Sequence, residues 1–421
     1  MSNIILVILF ITGYAAIALE HPLRVNKTAT ALLLAVISWV VLIMFQSEAT
    51  NGILPELSHH LSSISEIIFF LMGAMAIVEL VDTHRGFRVV SNLVRTKNKV
   101  SLLWIICFIT FFLSAILDNL TTSIVMVSIL RKIIGDKKDR MLFASMVIVA
   151  ANAGGAWTPI GDVTTTMLWI SGRISAGNIM VALFIPSLVS LLLPLIYFSF
   201  QMSGEKNVET EKNDEAAQPY SALVFIFGIL SLVSVPVFKQ MTHLPPYMGI
   251  LLGLSVMWVI TEILHSKTKR KDLQVTSVLS KIDLSSILFF VGILLTVAAL
   301  QTAGLLEHAA AWLNTAIPNK DIVVALLGVS SSVIDNVPLV AATIGMYPLE
   351  LFHVDHKMWE MIAFCAGTGG SLLIIGSAAG VVVMGMEDIS FGWYLKKITL
   401  PVVIGYLAGV ICYLGIYTLL N

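Results

Sequence analysis

Two acid-amide pairs set inside apolar sequence, Asp118-Asn119 and Asp335-Asn336, constrain this chain more than any other feature. The first lies in Ser114-Ala-Ile-Leu-Asp118-Asn119-Leu-Thr121-Thr122. The second, 217 positions later, lies in Ser331-Ser-Val-Ile-Asp335-Asn336-Val-Pro338. A carboxylate at a bilayer centre costs about 2.5–3.5 kcal/mol on insertion scales, so two in matched contexts imply an intramembrane binding site. The surroundings are membrane-like: 57% hydrophobic and 12% charged residues, with a mean hydropathy of +0.91. That excludes a soluble domain, and nothing in the chain suggests a nucleic-acid partner. Cys107, Cys365 and Cys412 lie in apolar runs at no metal-ligand spacing, which assigns them to packing. The apolar run after Met1 has neither a basic leader nor a small-residue cleavage site, and so reads as a span.

A span needs about 20 mostly apolar residues. Ten stretches qualify: 3–20, 29–45, 63–82, 140–170 (broken), 178–200, 220–237, 247–264, 284–303, 357–384 (broken) and 398–420. Two helical hairpins fill the gaps, over 100–135 with Asp118-Asn119 at the tip and over 321–347 with Asp335-Asn336 at the tip. The short arms of the second favour a re-entrant element; the first has longer arms, which keep two full spans as the alternative. Of the 25 Lys and Arg residues, all but Arg173, Lys239, Lys320 and Lys357 fall on one side of this topology. The bias puts that side in the cytoplasm and both termini outside.

The halves repeat. Residues 151–162, Ala-Asn152-Ala-Gly154-Gly155-Ala-Trp-Thr158-Pro159-Ile-Gly161-Asp162, align without gaps on residues 366–377, which contain Thr368, Gly369-Gly370, Ser371, Gly376 and Ser377. The expected fold is therefore an all-α polytopic membrane protein: an inverted repeat with two re-entrant helical hairpins and two broken helices. Residues 1–200 form one copy, 201–219 a cytoplasmic linker and 220–421 the other. Glycine-interrupted helices in inverted repeats put a binding site at the midplane. Thr158 is the expected N-cap of the second half-helix, with Pro159 at its first position. The half-helix ends should aim unsatisfied carbonyls at the cavity, where hard cations find oxygen ligands. Asp118, Asn119, Thr121, Asn152, Thr158 and Asp162 are the candidates from the first half, and Asp335, Asn336, Thr368, Ser371 and Ser377 from the second.

Each candidate has a structural alternative. The Asp-Asn pairs could simply cap the return arms, although Asn alone would do so without a buried charge. Asp162 could serve a helix dipole. Asn119 and Asn152 could be interhelical hydrogen-bond glue, and Ser371 and Ser377 could serve close packing. Glu79 is either a gate residue or an interfacial charge, Glu262 should pair with the basic loop after it, and His59-His60 reads as a solvated pair in an outer loop. The basic stretch from Arg85 to Lys99 reads as an interfacial helix on anionic lipid.

In Leu117-Asp118-Asn119-Leu-Thr-Thr122, Asn152-Ala-Gly-Gly-Ala-Trp-Thr-Pro-Ile-Gly-Asp162 and Asp335-Asn336-Val-Pro338, the chain resembles the ion transporter superfamily and, within it, the NhaD-type sodium/proton antiporters. The resemblance implies a homodimeric scaffold, a transport domain of hairpins and broken helices moving as an elevator, and a bacterial inner membrane location. It also implies ion-binding positions at Asp118, Asn119, Asn152, Asp162, Asp335 and Asn336. Dicarboxylate carriers of the superfamily carry Ser-Asn-Thr at the tips; aspartate in place of serine repels an anion and favours a cation. The expected cargo is Na⁺ or Li⁺ against H⁺, with no resident cofactor and no enzymatic step. Arsenite exporters and the pigmentation P-protein share parts of the pattern, so oxyanion or organic-anion transport is the alternative. An intramembrane aspartyl protease sharing one proton between two acids is a remote one, since neither aspartate follows a Gly-x-Gly signature.

Overall fold

The computed structural model describes residues 2–18, 20–45, 50–91, 96, 98–202, 218, 220–265 and 273–420. The linker charges from Glu205 to Glu215 and the basic residues Arg95, Lys97, Lys267, Lys269, Arg270 and Lys271 lie outside these. Among the described residues all regular structure is helical.

The first half contains α1 (Ser2–Ala18), α2 (Glu20–Leu23), α3 (Lys27–Phe45), α4 (Thr50–Thr83), α5 (Arg88–Ser91), α6 (Lys99–Leu117), α7 (Asn119–Ile133), α8 (Lys137–Gly155), α9 (Val163–Ile170) and α10 (Ala176–Gln201). The second contains α11 (Ser221–Thr242), α12 (Pro246–His265), α13 (Val275–Leu279), α14 (Leu284–Thr302), α15 (Leu305–Ala316), α16 (Lys320–Ser330), α17 (Asn336–Met346), α18 (Lys357–Gly369), α19 (Ala378–Glu387), α20 (Phe391–Lys397) and α21 (Thr399–Leu420). Eight of these are long and apolar enough to cross a membrane alone. The hairpins are α6–α7 and α16–α17, and the broken helices are α8–α9 and α18–α19.

One bundle forms around α3, α4, α12 and α14, with α3 packed on α14 and α4 on both α12 and α14; α1 and α11 cover its flanks. Trp39 Nε1 donates to Leu295 O at 2.9 Å across the α3–α14 contact. That contact is close because Gly292 meets α3 backbone: a Cβ there would stand 2.7 Å from the Ala31 carbonyl carbon. The second assembly contains both hairpins and both broken helices, flanked by α10 and α21, which pack against each other.

The halves are inverted in space. The outer ends of the first hairpin lie on the basic face, where Arg131 and Arg140 pair with Glu387. The outer ends of the second lie on the opposite face, where Arg173 Nη2 donates to Ile344 O at 3.3 Å and Lys357 pairs with Asp321. Although α6 has the length of a full span, α7 returns to the face it left. The first hairpin thus has both its outer ends on one face, as the second has on the other.

One expectation needs correction, and two others involve residues outside those described. His59 and His60 sit on α4, which starts well before the apolar layer, and not in a loop; His60 Nε2 lies 3.3 Å from Thr302 Oγ1. Leu57, Leu61 and Ile64 carry the apolar register through that stretch, so the helix continues. Between Arg85 and Lys99 the described helix is only Arg88–Ser91. Glu262 accepts from Trp258 Nε1 at 3.0 Å, on its own helix, while the basic loop assigned to it lies outside the described residues.

Candidate functional site

The hairpin tips meet the breaks through matched contacts. Ser114 Oγ donates to Ala151 O at 2.7 Å, and Ser331 Oγ donates to Ala366 O at 2.9 Å. Gly154 faces the backbone of Phe111, and Gly369 that of Gly328, each too closely for any Cβ. The repeat thus specifies each close approach twice: glycine lets the broken helix touch its own hairpin, and a hairpin serine takes a carbonyl of the last helical turn. Ala151 O and Ala366 O, at least, are consequently spent on the hairpins and not on the cavity.

Helix N-termini converge there instead. Asp118, Asp162, Asp335 and Ser377 are the N-caps of α7, α9, α17 and α19. Asp118 accepts from Thr121 N and Thr121 Oγ1, both at 2.8 Å, and Asp162 accepts from Thr164 N at 2.9 Å. Asp335 accepts from Val337 N at 3.4 Å. Helix dipoles and capping bonds favour these carboxylates as anions. Asp118 is the whole turn between α6 and α7, at φ 110° and ψ 158°. That region is nearly reserved for glycine and costs about 1–3 kcal/mol. An acid there implies that its carboxylate is needed.

Asp162 is the hub. It is 1% exposed and takes hydrogen bonds from both halves: Asn119 Nδ2 at 2.8 Å and Asn336 Nδ2 at 3.4 Å to Oδ2. Asn119 Nδ2 also donates to Asn152 Oδ1 at 3.0 Å, and Asn152 Nδ2 to Ser377 Oγ at 3.1 Å. Asp162 therefore caps α9 in place of Thr158, whose hydroxyl donates to Ala115 O at 2.6 Å and so closes the α6 terminus. Pro159 correspondingly lies in the break.

Asp118, Asn119, Thr121, Asp162, Asp335 and Asn336 line one cavity of about 80 Å³, room for a few water molecules. Asn152 and Ser377 stand behind it. Thr368 and Ser371 do not join them: their hydroxyls donate to Phe364 O and Thr368 O, and they line a separate small cavity with Ser190 and Tyr406. Among the described residues no three His, Cys, Asp or Glu side chains are close enough to chelate a metal ion together. An ion here would meet one or two carboxylates plus amide, hydroxyl or water oxygens, a set suited to a labile hard cation. Much of the remaining lining is apolar, from Phe70, Leu71, Ala74, Met75, Phe289 and Phe290. The cavity reaches the basic face at Ser286 and Lys27. From sequence Lys27 reads only as a loop charge; nothing local in Arg24-Val-Asn-Lys27 signals that it belongs to the site.

Inverted halves, re-entrant tips and interrupted helices meeting at buried acids define a secondary transporter of the membrane. A family model described as "Citrate transporter" matches residues 7–359. The chain is 49% identical to "Sodium/proton antiporter 1" of Arabidopsis thaliana, over 99% of its own length and 73% of that protein. It is 29% identical to "Na(+)/H(+) antiporter NhaD" of Alkalimonas amylolytica, over 98% of this chain and 90% of that one. Among solved structures it resembles the Alcanivorax borkumensis YdaH transporter, with a TM-score of 0.56 and 13% identity over 92% of this chain and 95% of the other. The last likeness concerns the fold alone. The chain belongs to the Citrate transporter family of the ion transporter superfamily, on its NhaD-type branch.

Proposed function

We propose that the protein exchanges cytoplasmic Na⁺ or Li⁺ for external H⁺, with both ions competing for the carboxylates of Asp118, Asp162 and Asp335. The observation that carries this reading is the convergence of three acids from two inverted halves on one small cavity. A buried carboxylate holds a proton or a cation but not readily both, so a shared site yields exchange without a separate proton wire. The relatives named as sodium/proton antiporters support the same cargo. An organic anion, the cargo in the family description, would meet three acids and one lysine. The ions are cargo and no resident cofactor is needed.

The basic face is the cytoplasmic one, which puts both termini outside and opens the cavity inward. The hairpins and broken helices form the moving part and the α3–α4–α12–α14 bundle the scaffold of a homodimer, so that the site is carried across as an elevator. The protein resides in the cytoplasmic membrane. In everted vesicles, Na⁺ or Li⁺ should dequench a pH dye where K⁺ and arsenite do not, and Asp118→Asn and Asp335→Asn should each abolish the response. Full activity in both variants would remove these residues from the mechanism, and arsenite flux independent of Na⁺ would replace the cargo.

A further inference from the structure

Lys27 is the one basic side chain among the described residues lining the cavity. It starts α3, a helix of the scaffold bundle, and its Nζ stands 4.8 Å from the centroid of the Phe289 ring on α14, also scaffold. No described carboxylate lies within ion-pair distance of Nζ, yet Lys27 lines the same cavity as Asp118, Asp162 and Asp335. The acids ride on the hairpins and α9, so lysine and acids belong to different bodies.

We propose that Lys27 is a scaffold-borne counter-charge that holds the unloaded, anionic transport domain at the cytoplasmic side and thereby enforces exchange. This rests on the elevator exchange reading above. With the acids empty, the cavity faces Lys27 with net negative charge and is attracted to it. Once Na⁺ or protons occupy the site, that attraction falls and the domain is free to cross. An antiporter must prevent its empty form from returning, because an empty return converts exchange into a leak. The aromatic ring of Phe289 steadies the ammonium by a cation–π contact while leaving it unpaired. The same positive charge competes with incoming Na⁺, so its removal should tighten apparent Na⁺ binding from the cytoplasmic side.

The test uses the purified full chain in proteoliposomes. Two fluxes are read: Na⁺-driven proton movement by a pH dye, and radioactive sodium uniport driven by membrane potential at equal pH. Lys27→Met should raise uniport by roughly tenfold and lower the half-saturating Na⁺ by roughly 3- to 10-fold, while Lys27→Arg should behave as wild type. Wild-type coupling and half-saturation in Lys27→Met would overturn the proposal. If Lys27→Met fails to fold, Lys27→Gln carries the test: a raised uniport supports the proposal and unchanged coupling refutes it. Wild-type vesicles without any Na⁺-driven proton flux would refute the exchange reading itself.

Discussion

Glu387, at the end of α19, is the place where the two halves are tied together on the basic face. Its side chain is 0% exposed and accepts from Arg131 Nε at 2.7 Å and Arg140 Nε at 2.6 Å, fastening the second copy's half-helix to the ends of α7 and α8. Glu387→Gln removes the one charge among the described residues that pairs with both guanidinium groups. Breaking a buried pair costs about 3–5 kcal/mol. Arg131, 47% exposed, can turn to water, whereas Arg140, 20% exposed and bonded to Ile134 O, cannot easily follow. The expected loss is therefore about 2–3 kcal/mol. For a chain of this size that lowers the unfolding midpoint by roughly 2–3 °C, read by thermal denaturation in detergent. The neighbouring Lys137–Asp388 pair is largely exposed, at 57% and 79%, so Asp388→Asn is the control and should shift the midpoint by no more than about 1 °C. A Glu387→Gln protein as stable as the control would show that the inter-half tie is not a structural anchor.

Ser114→Ala and Ser331→Ala, which remove equivalent clasps, should destabilise by similar amounts, about 1–2 kcal/mol each in denaturation. A loss confined to one would mean that the halves do not share the device. Gly154→Ala and Gly369→Ala should cost more, about 2 kcal/mol or above, since each Cβ meets hairpin backbone; Gly135→Ala, which meets open space, should be neutral or slightly stabilising. Asn119→Ala takes from Asp162 its 2.8 Å hydrogen bond. It should weaken apparent Na⁺ affinity in vesicles by roughly tenfold, and an unchanged half-saturation would remove Asn119 from the site. In a background with Cys107, Cys365 and Cys412 replaced, an impermeant maleimide on intact cells should label Thr315→Cys and spare Lys138→Cys. The reverse pattern would invert the proposed orientation.

The spans, the hairpin tips and the breaks were legible because the membrane makes local rules strict. An apolar run must be helical, an acid within it must have a use, and paired glycines with a proline interrupt a helix. The alignment of Asn152–Asp162 on residues 367–377 then implied two copies, and five spans with one hairpin per half made them inverted. Local rules could not say which oxygen a hydroxyl would meet. Thr158 and Asp162 are both good caps in the same break, and the choice went to Asp162 because Ala115 O lies where Thr158 can reach it. Thr368 and Ser371 carry suitable oxygens but face α8 and α21 instead of the tips. Lys27 reads as one more cytoplasmic charge until α3 packs on α14 and brings it over Phe289, into the lining of the cavity that Asp335 shares. Likewise, nothing near Glu387 in sequence announces Arg131 or Arg140, its partners 256 and 247 positions away. Hydropathy and backbone satisfaction, which each segment carries with it, determine where helices start, stop and turn back. The rotation and depth of one helix against another, set by close packing of distant side chains, decide which polar atoms share the cavity.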